Sequence, residues 1–384
     1  MFLLAFVAGV SSLTFADHDY ERTPLGDSID KASLKLLREA YKSSDEKNVI
    51  ASPLGCMILL SIFANGAGPM SKNEISQMLG FEAYSRLSEQ FAAMNPDYLT
   101  VTNRIYVQNN LELNSTFENV ARSYKSAVKN IDFTDPTKAA QIINKWAEET
   151  TKGNIKEPIK DGVLTPDVVL GLFNIIFFQG HWHVPFDAKN TKDEDFHVDK
   201  TTTVKKPTMS LLQPLFYNEN KDLGVRMIEL PYKETGFRMV VVLPDEVDGL
   251  PAVLDKVAEK GLLEDVFRLG PSGRDIDLHF PKFEVRSKLD LKDLLPKVGV
   301  SKMFEEPATG IVKNDAVVAS KAFQEAFVKV DEEGATAGAF TGVIAVLTSS
   351  MSGPEPPLEV RVDHPFLYFI LYQDKVLFAG TYTH

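Results

Sequence analysis

A run of almost side-chain-free residues, Glu333 to Thr341, constrains the fold of this chain more than any other feature. It follows the segment Ala322 to Asp331, in which apolar and polar residues alternate as they do in a strand. A turn and a returning strand ordinarily come next, whereas here a run of mostly small side chains follows. At the strand period of two, one face of the run carries only small side chains, those of Ala335, Ala337, Ala339 and Thr341.

The lack of bulk on this face indicates a segment that can enter an existing sheet. A strand with one small face can slide between two others without displacing their core, whereas a Lys or Arg there would be buried unpaired. The opposite face carries the large Phe340, which alternation turns outward. Gly338 and Gly342 each cost about 0.5 to 1 kcal/mol of strand stability relative to Ala, which should slow the insertion. We therefore predict a loop that can become a strand.

The run resembles the hinge of the reactive-centre loop in inhibitory serpins, and other motifs extend the resemblance along nearly the whole chain. The most specific motif starts at Phe173 and ends at Trp182, reading Phe-Asn-Ile-Ile-Phe-Phe-Gln-Gly-His-Trp. Further matching motifs are Asn48 to Pro53, Ile143 to Trp146, Glu229 to Tyr232, Pro281 to Phe283 and Asp363 to Phe366. The resemblance implies an α+β serpin fold with three β-sheets, eight or nine helices and an exposed reactive-centre loop at about residues 332–357.

The order of the elements agrees with an α+β arrangement, because helical patterns dominate the first half of the chain and strand patterns the second. Helices are predicted at Ile29 to Tyr41, Pro53 to Ala64, Lys72 to Leu79, Thr116 to Tyr124, Pro136 to Thr150, Leu250 to Glu264 and Leu289 to Leu295. The pairs Ser71 with Glu74 and Ser115 with Glu118 are interpreted as capping boxes. No Gly/Ser-rich or Pro-rich linker divides the chain, so residues 17–384 are expected to form one domain.

The N-terminus and the charge indicate compartment and partners. Residues 1–16 resemble a signal peptide, with an apolar stretch and small residues before a cleavage point after Ala16, so secretion is expected. Asn114 then lies in an acceptor sequence for glycosylation, and the lone Cys56 is interpreted as a buried, inert thiol. The formal charge of -12 disfavours nucleic acid, membrane and heparin-like polyanions as partners. A monomer is expected.

No catalytic, metal or cofactor site is expected from the residue patterns. His181 and His183 are two residues apart and His197 follows, but these three do not provide a third metal ligand at an ordered spacing. Gly270 to Gly273 lacks the spacing of a nucleophile elbow, and Asp193 to Asp195 is interpreted as a solvated turn. The chain is therefore predicted not to be an enzyme.

The resemblance instead implies a suicide inhibitor, whose loop is cut by an endopeptidase and then inserts as a new central strand, carrying the acylated enzyme with it. The hinge would comprise Glu333, Gly334, Ala335, Ala337, Ala339 and Thr341. Ser52, Asn174, Gln324 and Trp182 match residues where the sheet opens, although Gly55 stands where a serine is common and Gln324 where vertebrate members often carry histidine. The alternative is a non-inhibitory serpin that acts as a binding or carrier protein.

The scissile bond can be located from either end of the loop, and the two counts disagree. Fourteen residues onward from Gly334 lies the bond Thr348-Ser349, which we prefer because the inserted length moves the protease. Counting back from Pro356-Pro357 gives a bond near Met351-Ser352. Leu347-Thr348 is a further alternative.

The residues before the preferred bond suggest the class of target. Thr348 has neither the charge that a trypsin-like pocket selects nor the ring that a chymotrypsin-like pocket selects, and suits only a small elastase-like pocket. Papain-like cysteine proteases select mainly through the preceding residue, here Leu347, which itself follows the apolar Val346. We therefore expect a papain- or cathepsin L-like cysteine protease, with a chymotrypsin- or elastase-like serine protease close behind, since small pocket differences are worth only about 1 to 3 kcal/mol.

Overall fold

A computed structural model describes residues 21–80, 99–335 and 355–384 of the chain. The expected signal peptide, residues 1–16, lies outside these described residues, as do the three positions considered for the scissile bond. No helix in the described ranges is long and apolar enough to cross a membrane.

The described residues form eight α-helices, which fall mainly in the first half of the chain. In chain order these are α1 (Pro24–Ser43), α2 (Pro53–Ala64), α3 (Pro69–Leu79), α4 (Ser115–Ser123), α5 (Pro136–Thr150), α6 (Leu250–Lys260), α7 (Leu263–Phe267) and α8 (Leu291–Leu294). The helix count is within the predicted eight or nine.

The strands build three larger sheets and one short pair. In chain order they are β1 (Val49–Ala51), β2 (Leu99–Gln108), β3 (Ala127–Ile131), β4 (Leu170–Phe178), β5 (Gly180–His181), β6 (Lys192–His197), β7 (Thr203–Gln213), β8 (Phe216–Asn220), β9 (Val225–Pro231), β10 (Phe237–Pro244), β11 (Gly270–Pro271), β12 (Ile276–Pro281), β13 (Phe283–Asp290), β14 (Lys321–Val330), β15 (Gly334–Ala335), β16 (Leu358–Arg361), β17 (Phe366–Tyr372) and β18 (Lys375–Tyr382). The α+β organisation predicted from the sequence is confirmed.

The five-stranded sheet carries the site described below and has the order β13-β14-β4-β2-β3. Its outer pair β13 and β14 is antiparallel, whereas β14 and β4 in the middle run parallel. On the far side of the parallel pair, β4 is antiparallel to β2. A seven-stranded sheet, β1-β18-β17-β10-β9-β8-β11, and a four-stranded sheet, β16-β12-β7-β6, complete the main framework.

Helix α2 lies between two sheets, in contact with β18 on one side and with β4 and β2 on the other. All of its residues are buried, which is the environment that a helix apolar on every side requires. Within it, burial raises the pKa of the Cys56 thiol to about 12, so this side chain stays protonated at neutral pH. Its first turn is therefore held at the centre of the molecule, beside the five-stranded sheet.

Helix α5 covers the opposite face of the same sheet and creates a second apolar core. Its residues Ile143 and Trp146 are buried against aromatic side chains of the sheet, among them Tyr106, whose ring meets Trp146 edge-on at 6.4 Å. The sheet is therefore enclosed on both faces, so that any change in its strand order must occur between two packed layers.

Three local predictions of helix ends are wrong. The cap of α3 is the Glu306 carboxylate, which accepts the N–H groups of Met70 at 3.2 Å and Ser71 at 2.7 Å, so no capping box forms with Ser71 and Glu74. At α4 the capping residue is Asn114, not Ser115. The predicted helix over Leu250 to Glu264 is interrupted at Gly261, whose φ is +87°.

The acidic residues Asp193 to Asp195 also differ from their prediction as a solvated turn, because they lie within strand β6. The Glu194 carboxylate reaches His279 of β12, with 3.0 Å between the closest oxygen and Nδ1, and accepts a 2.6 Å hydrogen bond from Arg361 of β16. Cross-strand partners beyond the reach of local sequence thus hold this segment in the sheet.

Candidate sheet-opening site

The candidate site lies along the seam between β14 and β4, the parallel strands at the middle of the five-stranded sheet. Their pairing runs from Lys321 opposite Gly171 to Phe327 opposite Phe177, with no strand between them. Beyond Phe177, β4 and its continuation β5 bend away from this pairing. A new strand can enter the sheet here only if the backbone hydrogen bonds between β14 and β4 are broken.

A row of three buried amide side chains crosses this seam at one level of the sheet. Asn103 of β2, Asn174 of β4 and Gln324 of β14 are direct register partners, and each is at most 1% exposed. The Gln324 amide donates to Asn174 Oδ1 at 2.9 Å, and the Asn174 amide donates to Asn103 Oδ1 at 2.8 Å. The hydrogen bond between Gln324 and Asn174 is therefore one of those that opening of the seam must break.

The same row is tied to the start of helix α2. Gln324 Oε1 accepts the Ser52 N–H at 2.7 Å, and its amide nitrogen donates to the Ser52 carbonyl, also at 2.7 Å. The Ser52 hydroxyl caps the helix by accepting the Gly55 N–H at 3.1 Å. Glycine at position 55 has a steric reason, because a Cβ there would lie 2.4 Å from Asn174 Oδ1. Ser52, Asn174 and Gln324 thus form one connected polar cluster.

Above the seam, the chain reverses direction immediately after β14. Asp331 and Gly334 exchange both backbone hydrogen bonds, at 3.0 and 3.3 Å, so that Glu332 and Glu333 form a two-residue turn. On the other side, Gly334 and Ala335 pair antiparallel with His181 and Gly180. The backbone after the turn therefore lies between the end of β14 and the continuation of β4, which are the edges of the seam.

Position 334 accepts only glycine in this arrangement. Its φ of +141° lies in the region that residues with a Cβ rarely adopt. A Cβ would also stand 2.1 Å from the Gly180 carbonyl oxygen. Close approach of the two backbones at the top of the seam therefore depends on this glycine.

Trp182 fixes the turn from the side of β5. Its indole N–H donates to the Asp331 carbonyl at 2.9 Å, and its backbone N–H donates to the Glu333 carbonyl, also at 2.9 Å. The indole stacks on Tyr232, with ring centroids 4.6 Å apart and planes 10° from parallel. The tryptophan is therefore both a core aromatic residue and a hydrogen-bond donor to the segment that precedes the loop.

Glu332 anchors the turn to two other elements. Its carboxylate accepts hydrogen bonds from Lys282 Nζ and Thr191 Oγ1, both at 2.7 Å, and its backbone carbonyl accepts the Phe186 N–H at 2.9 Å. Partial burial acts to raise the pKa of this carboxyl, but the hydrogen bonds from Lys282 and Thr191 outweigh it and hold the pKa below its usual range. The anchor is therefore charged at neutral pH.

The geometry of the site suits a change of strand pairing. It combines a breakable seam, a polar cluster and an anchored turn that leads into the loop. Among residues 21–80, 99–335 and 355–384, no three His, Cys, Asp or Glu side chains are grouped as a metal ion would require. The remaining hinge residues Ala337, Ala339 and Thr341 lie outside the described residues, together with Val346, Leu347, Thr348, Ser349, Met351 and Ser352.

Sequence reasoning missed two members of the site. Asn103 is a polar residue on a face of β2 that otherwise carries apolar side chains such as Val101 and Ile105, a signal that could have marked it as part of a buried network. Glu332 gave no such signal, because acidic residues are common in exposed turns and its partners Lys282 and Thr191 are distant in the chain.

Replacing Gln324 by Leu should weaken the closed sheet. The change leaves the Ser52 N–H and Asn174 Oδ1 buried without their partner, which costs about 1 to 3 kcal/mol for each group. We expect the free energy of unfolding, measured by urea denaturation, to fall by about 2 to 4 kcal/mol. Gln141→Leu, on the exposed face of α5, is the matched control. Equal stability of the two variants would contradict the role given to the amide row.

Replacing Glu332 by Gln should lower the melting temperature more at pH 7 than in acid. Because the folded protein lowers the pKa of Glu332, its stabilising effect is complete above the ordinary glutamate pKa near 4.3 and is lost as the pH falls through the lowered folded value. The difference in melting temperature between the two proteins should therefore be largest at pH 7 and should shrink as the pH is lowered below about 4.3. A difference that persisted unchanged in acid would assign the effect to packing; Glu148→Gln, exposed on α5, is the control.

Comparison with known proteins agrees with this architecture along the whole described chain. The family model described as serpin (serine protease inhibitor) matches residues 27–384. Antichymotrypsin-2 of Bombyx mori is 30% identical over 363 residues, covering 92% of this chain and 96% of the relative. Alaserpin of Manduca sexta is 30% identical over 395 residues and covers 99% of each chain.

Solved structures give the same result for the fold. Serpin48 of Tenebrio molitor superimposes with a TM-score of 0.83 at 28% identity, covering 94% of this chain and 98% of the other. Thyroxine-binding globulin has a TM-score of 0.84 at 23% identity, over 94% of this chain and 99% of its own, and shows the fold alone. The expected fold class is confirmed, and kinship with proteins named as protease inhibitors and not as enzymes supports protease inhibition in general. The chain belongs to the serpin family.

Proposed function

We propose that this protein inhibits an endopeptidase by the suicide-substrate mechanism, with the β14–β4 seam as the insertion site. The observation that carries the proposal is the position of Gly334 and Ala335, held between Asp331 and the segment Gly180–His181 at the top of the seam. This short pair has the antiparallel direction that an inserted strand between β14 and β4 requires. The loop therefore starts at the entrance to its own insertion site.

The register of this pair also assigns a face to each later hinge residue. If the pairing continues, position 337 comes to lie between Val328 of β14 and Phe178 of β4, both of which are 1% exposed. Position 336 comes to lie between Lys329 and Gln179, on the more exposed face. Directly opposite residues in a sheet share a face, so positions 337, 339 and 341 would enter the core. These positions carry only Ala and Thr.

Insertion is favourable because the sheet gains more backbone hydrogen bonds than it loses. Opening the seam breaks one parallel ladder, and insertion replaces it by two antiparallel ladders that flank the new strand. Before cleavage, the uncut loop is tethered at both ends and cannot enter fully. After attack on Thr348, the Ser349 amine leaves and the tether is lost. A strand of about 14 residues then spans roughly 45 Å, which carries the acylated protease away from its docking position.

The target class follows from the residues around the proposed bond Thr348-Ser349. Leu347 and Val346 suit the subsite through which papain- and cathepsin L-like enzymes select, and Thr348 suits a small elastase-like pocket. We infer a cysteine protease of the papain type as target, with a chymotrypsin- or elastase-like serine protease as the competing class. The non-inhibitory alternative, a binding or carrier protein, requires that the seam never opens after cleavage.

Secretion is part of the proposal, with residues 1–16 as the signal peptide and Asn114 as a glycosylation site. Asn114 begins helix α4, and its side-chain oxygen accepts the Thr116 N–H at 3.0 Å. Its neighbours Ser115 and Thr116 are exposed, which supports access of a glycosylating enzyme. A secreted monomer that meets its protease outside the cell is consistent with the single buried Cys56.

Replacing Ala337 by Arg should convert the inhibitor into a substrate. The Arg side chain would have to enter the core between Val328 and Phe178, so that hydrolysis overtakes insertion. We expect folding to be unchanged and the fraction of protease trapped in a stable complex to fall at least about tenfold, since one buried unpaired charge costs well over 1.4 kcal/mol. The complex is measured by denaturing gel electrophoresis.

Thr336→Arg is the matched control, since the proposed register places position 336 on the more exposed face. It should trap protease as the parent does. Trapping by the Ala337 variant at the parent's efficiency would contradict the insertion mechanism. Cleavage of the parent loop should also raise the melting temperature sharply, whereas an unchanged value would favour the non-inhibitory alternative.

Replacing Leu347 by Gly should abolish inhibition of a papain-like enzyme, because it removes the side chain that fills the selective pocket. Papain-, elastase-, chymotrypsin- and trypsin-like enzymes are titrated in parallel, and the released C-terminal peptide is identified by mass. We expect a peptide that begins at Ser349. Met351→Gly, beyond the proposed bond, should leave inhibition intact. A peptide beginning at Ser352, or inhibition of serine enzymes alone, would contradict the assignment of Leu347.

A further inference from the structure

A small cavity lies between helix α5 and the outer face of the five-stranded sheet, directly over the β14–β4 seam. Its walls come from Ile143 and Trp146 of α5, from Phe173 and Ile175 of β4, and from Glu325 of β14. The side walls thus belong to two strands that an inserted strand would separate. Since neighbouring strands lie about 4.8 Å apart, insertion moves β14 away from β4 by roughly one strand spacing. The cavity must then open.

Glu325 is the acidic residue in this apolar surface, and it is 6% exposed. Its register partner on β4 is Ile175. One carboxylate oxygen, Oε1, lies 3.4 Å from Arg286 Nε, whereas Oε2 is buried without a hydrogen-bond partner in the described part of the chain. Burial raises the pKa of this carboxyl to about 7, although Arg286, Lys288 and Lys160 act to lower it. Its charge therefore changes within the physiological range of pH.

Two cations near Glu325 lie on β13, on one side of β14, whereas the apolar side chains of β4 lie on the other side, across the seam. Arg286 and Lys288 belong to β13, which is paired with β14 along its length, and Lys288 is the direct partner of Glu325. Lys160 acts from the segment after α5. The groups of α5 and β4 that line the cavity beside Glu325 carry no charge. When β13 and β14 move together, the two cations of β13 stay with the carboxylate, whereas the apolar wall of β4 is left behind.

We propose that Glu325 makes opening of the seam responsive to pH, with ionisation of its carboxylate loosening the closed sheet and speeding strand insertion. The inference rests on the proposed function, because it assumes that a strand enters between β14 and β4. The ionised carboxylate is poorly solvated only while the seam is closed. Opening admits water to it and keeps its ion pair with Arg286, so the charged form favours the open sheet over the closed one.

The sign of the effect follows from proton linkage. The closed sheet holds the proton of Glu325 to a higher pH than a solvated carboxyl does, so raising the pH through about 7 destabilises the closed form relative to the open one. The ordinary pKa of a glutamate is near 4.3. If the partly open sheet restores about a quarter of the lost solvation, insertion becomes about threefold faster between pH 6 and pH 8.

The test measures insertion without any protease. A synthetic peptide with the sequence of residues 335–348 is mixed with the full-length protein at pH 6, 7 and 8, and its incorporation is followed by the rise in melting temperature. The parent should incorporate it about threefold faster at pH 8 than at pH 6. Glu325→Gln, which resembles the protonated side chain, should keep the slow rate at every pH. Glu284→Gln, an exposed carboxylate on the same face of the sheet, should keep the rise of the parent.

A second variant covers the case in which the Glu325→Gln protein fails to fold. Lys288→Met removes a cation that lowers the pKa of Glu325, so the midpoint of the rise should move to higher pH. A parent rate that does not depend on pH, an unshifted midpoint in Lys288→Met, or an undiminished rise in Glu325→Gln would each overturn the inference.

Trapping of a papain-like protease at pH 8 separates this inference from the proposed function. Efficient trapping together with an unchanged pH profile in Glu325→Gln would overturn the role of Glu325 alone. Incorporation of the peptide with the expected pH profile, but without trapping, would overturn the inhibitory function alone. No incorporation at any pH would overturn the premise of an opening seam, and with it both proposals.

Discussion

The direct pairing of β14 with β4 is the interaction on which the rest of the molecule depends. These parallel strands lie between two packed layers, α2 on one face and α5 on the other, so the seam is supported without being covalently fixed. The amide row and the anchored turn both act on it. Gln324 and Asn174 hold the seam closed by a side-chain hydrogen bond, while Trp182 and Glu332 hold the incoming chain at its upper end.

The bounds of helices whose ends are set by their own residues were predicted correctly. Helices α2 and α5 begin and end at the predicted residues, because each starts with a polar cap followed by proline and then carries a long helical pattern. The small face of the hinge also rests on a local property, period-two alternation, but it stays a prediction because positions 337, 339 and 341 lie outside the described residues. The expectation of three sheets came from resemblance to a family and not from periodicity.

Features that depend on distant partners could not be predicted from the same patterns. Ser71 and Glu74 have the spacing of a capping box, yet the Glu306 carboxylate caps the N-terminus of α3. Glu74 instead accepts the N–H groups of Ser301 and Lys302. Glu325 looks like any polar residue of an alternating strand. Only its burial beneath α5 and beside Arg286 distinguishes it from an exposed glutamate. The local sequence shows which backbone N–H groups need a hydrogen-bond acceptor, but not which distant side chain provides it.

The two-residue turn at Glu332 and Glu333 has a consequence for how the polar cluster survives rearrangement. The pairing of Gly334 with Asp331 on one side and with His181 on the other defines a single register for any strand that continues from it. If a strand is inserted in that register, as proposed above, position 341 would come level with Gln324 and with Asn174 at once. A hydroxyl both donates and accepts, so it can bridge the two amides that the strand has parted. The turn would thus set the register that brings the Thr341 hydroxyl to the place where the hydrogen bond between Gln324 and Asn174 is lost.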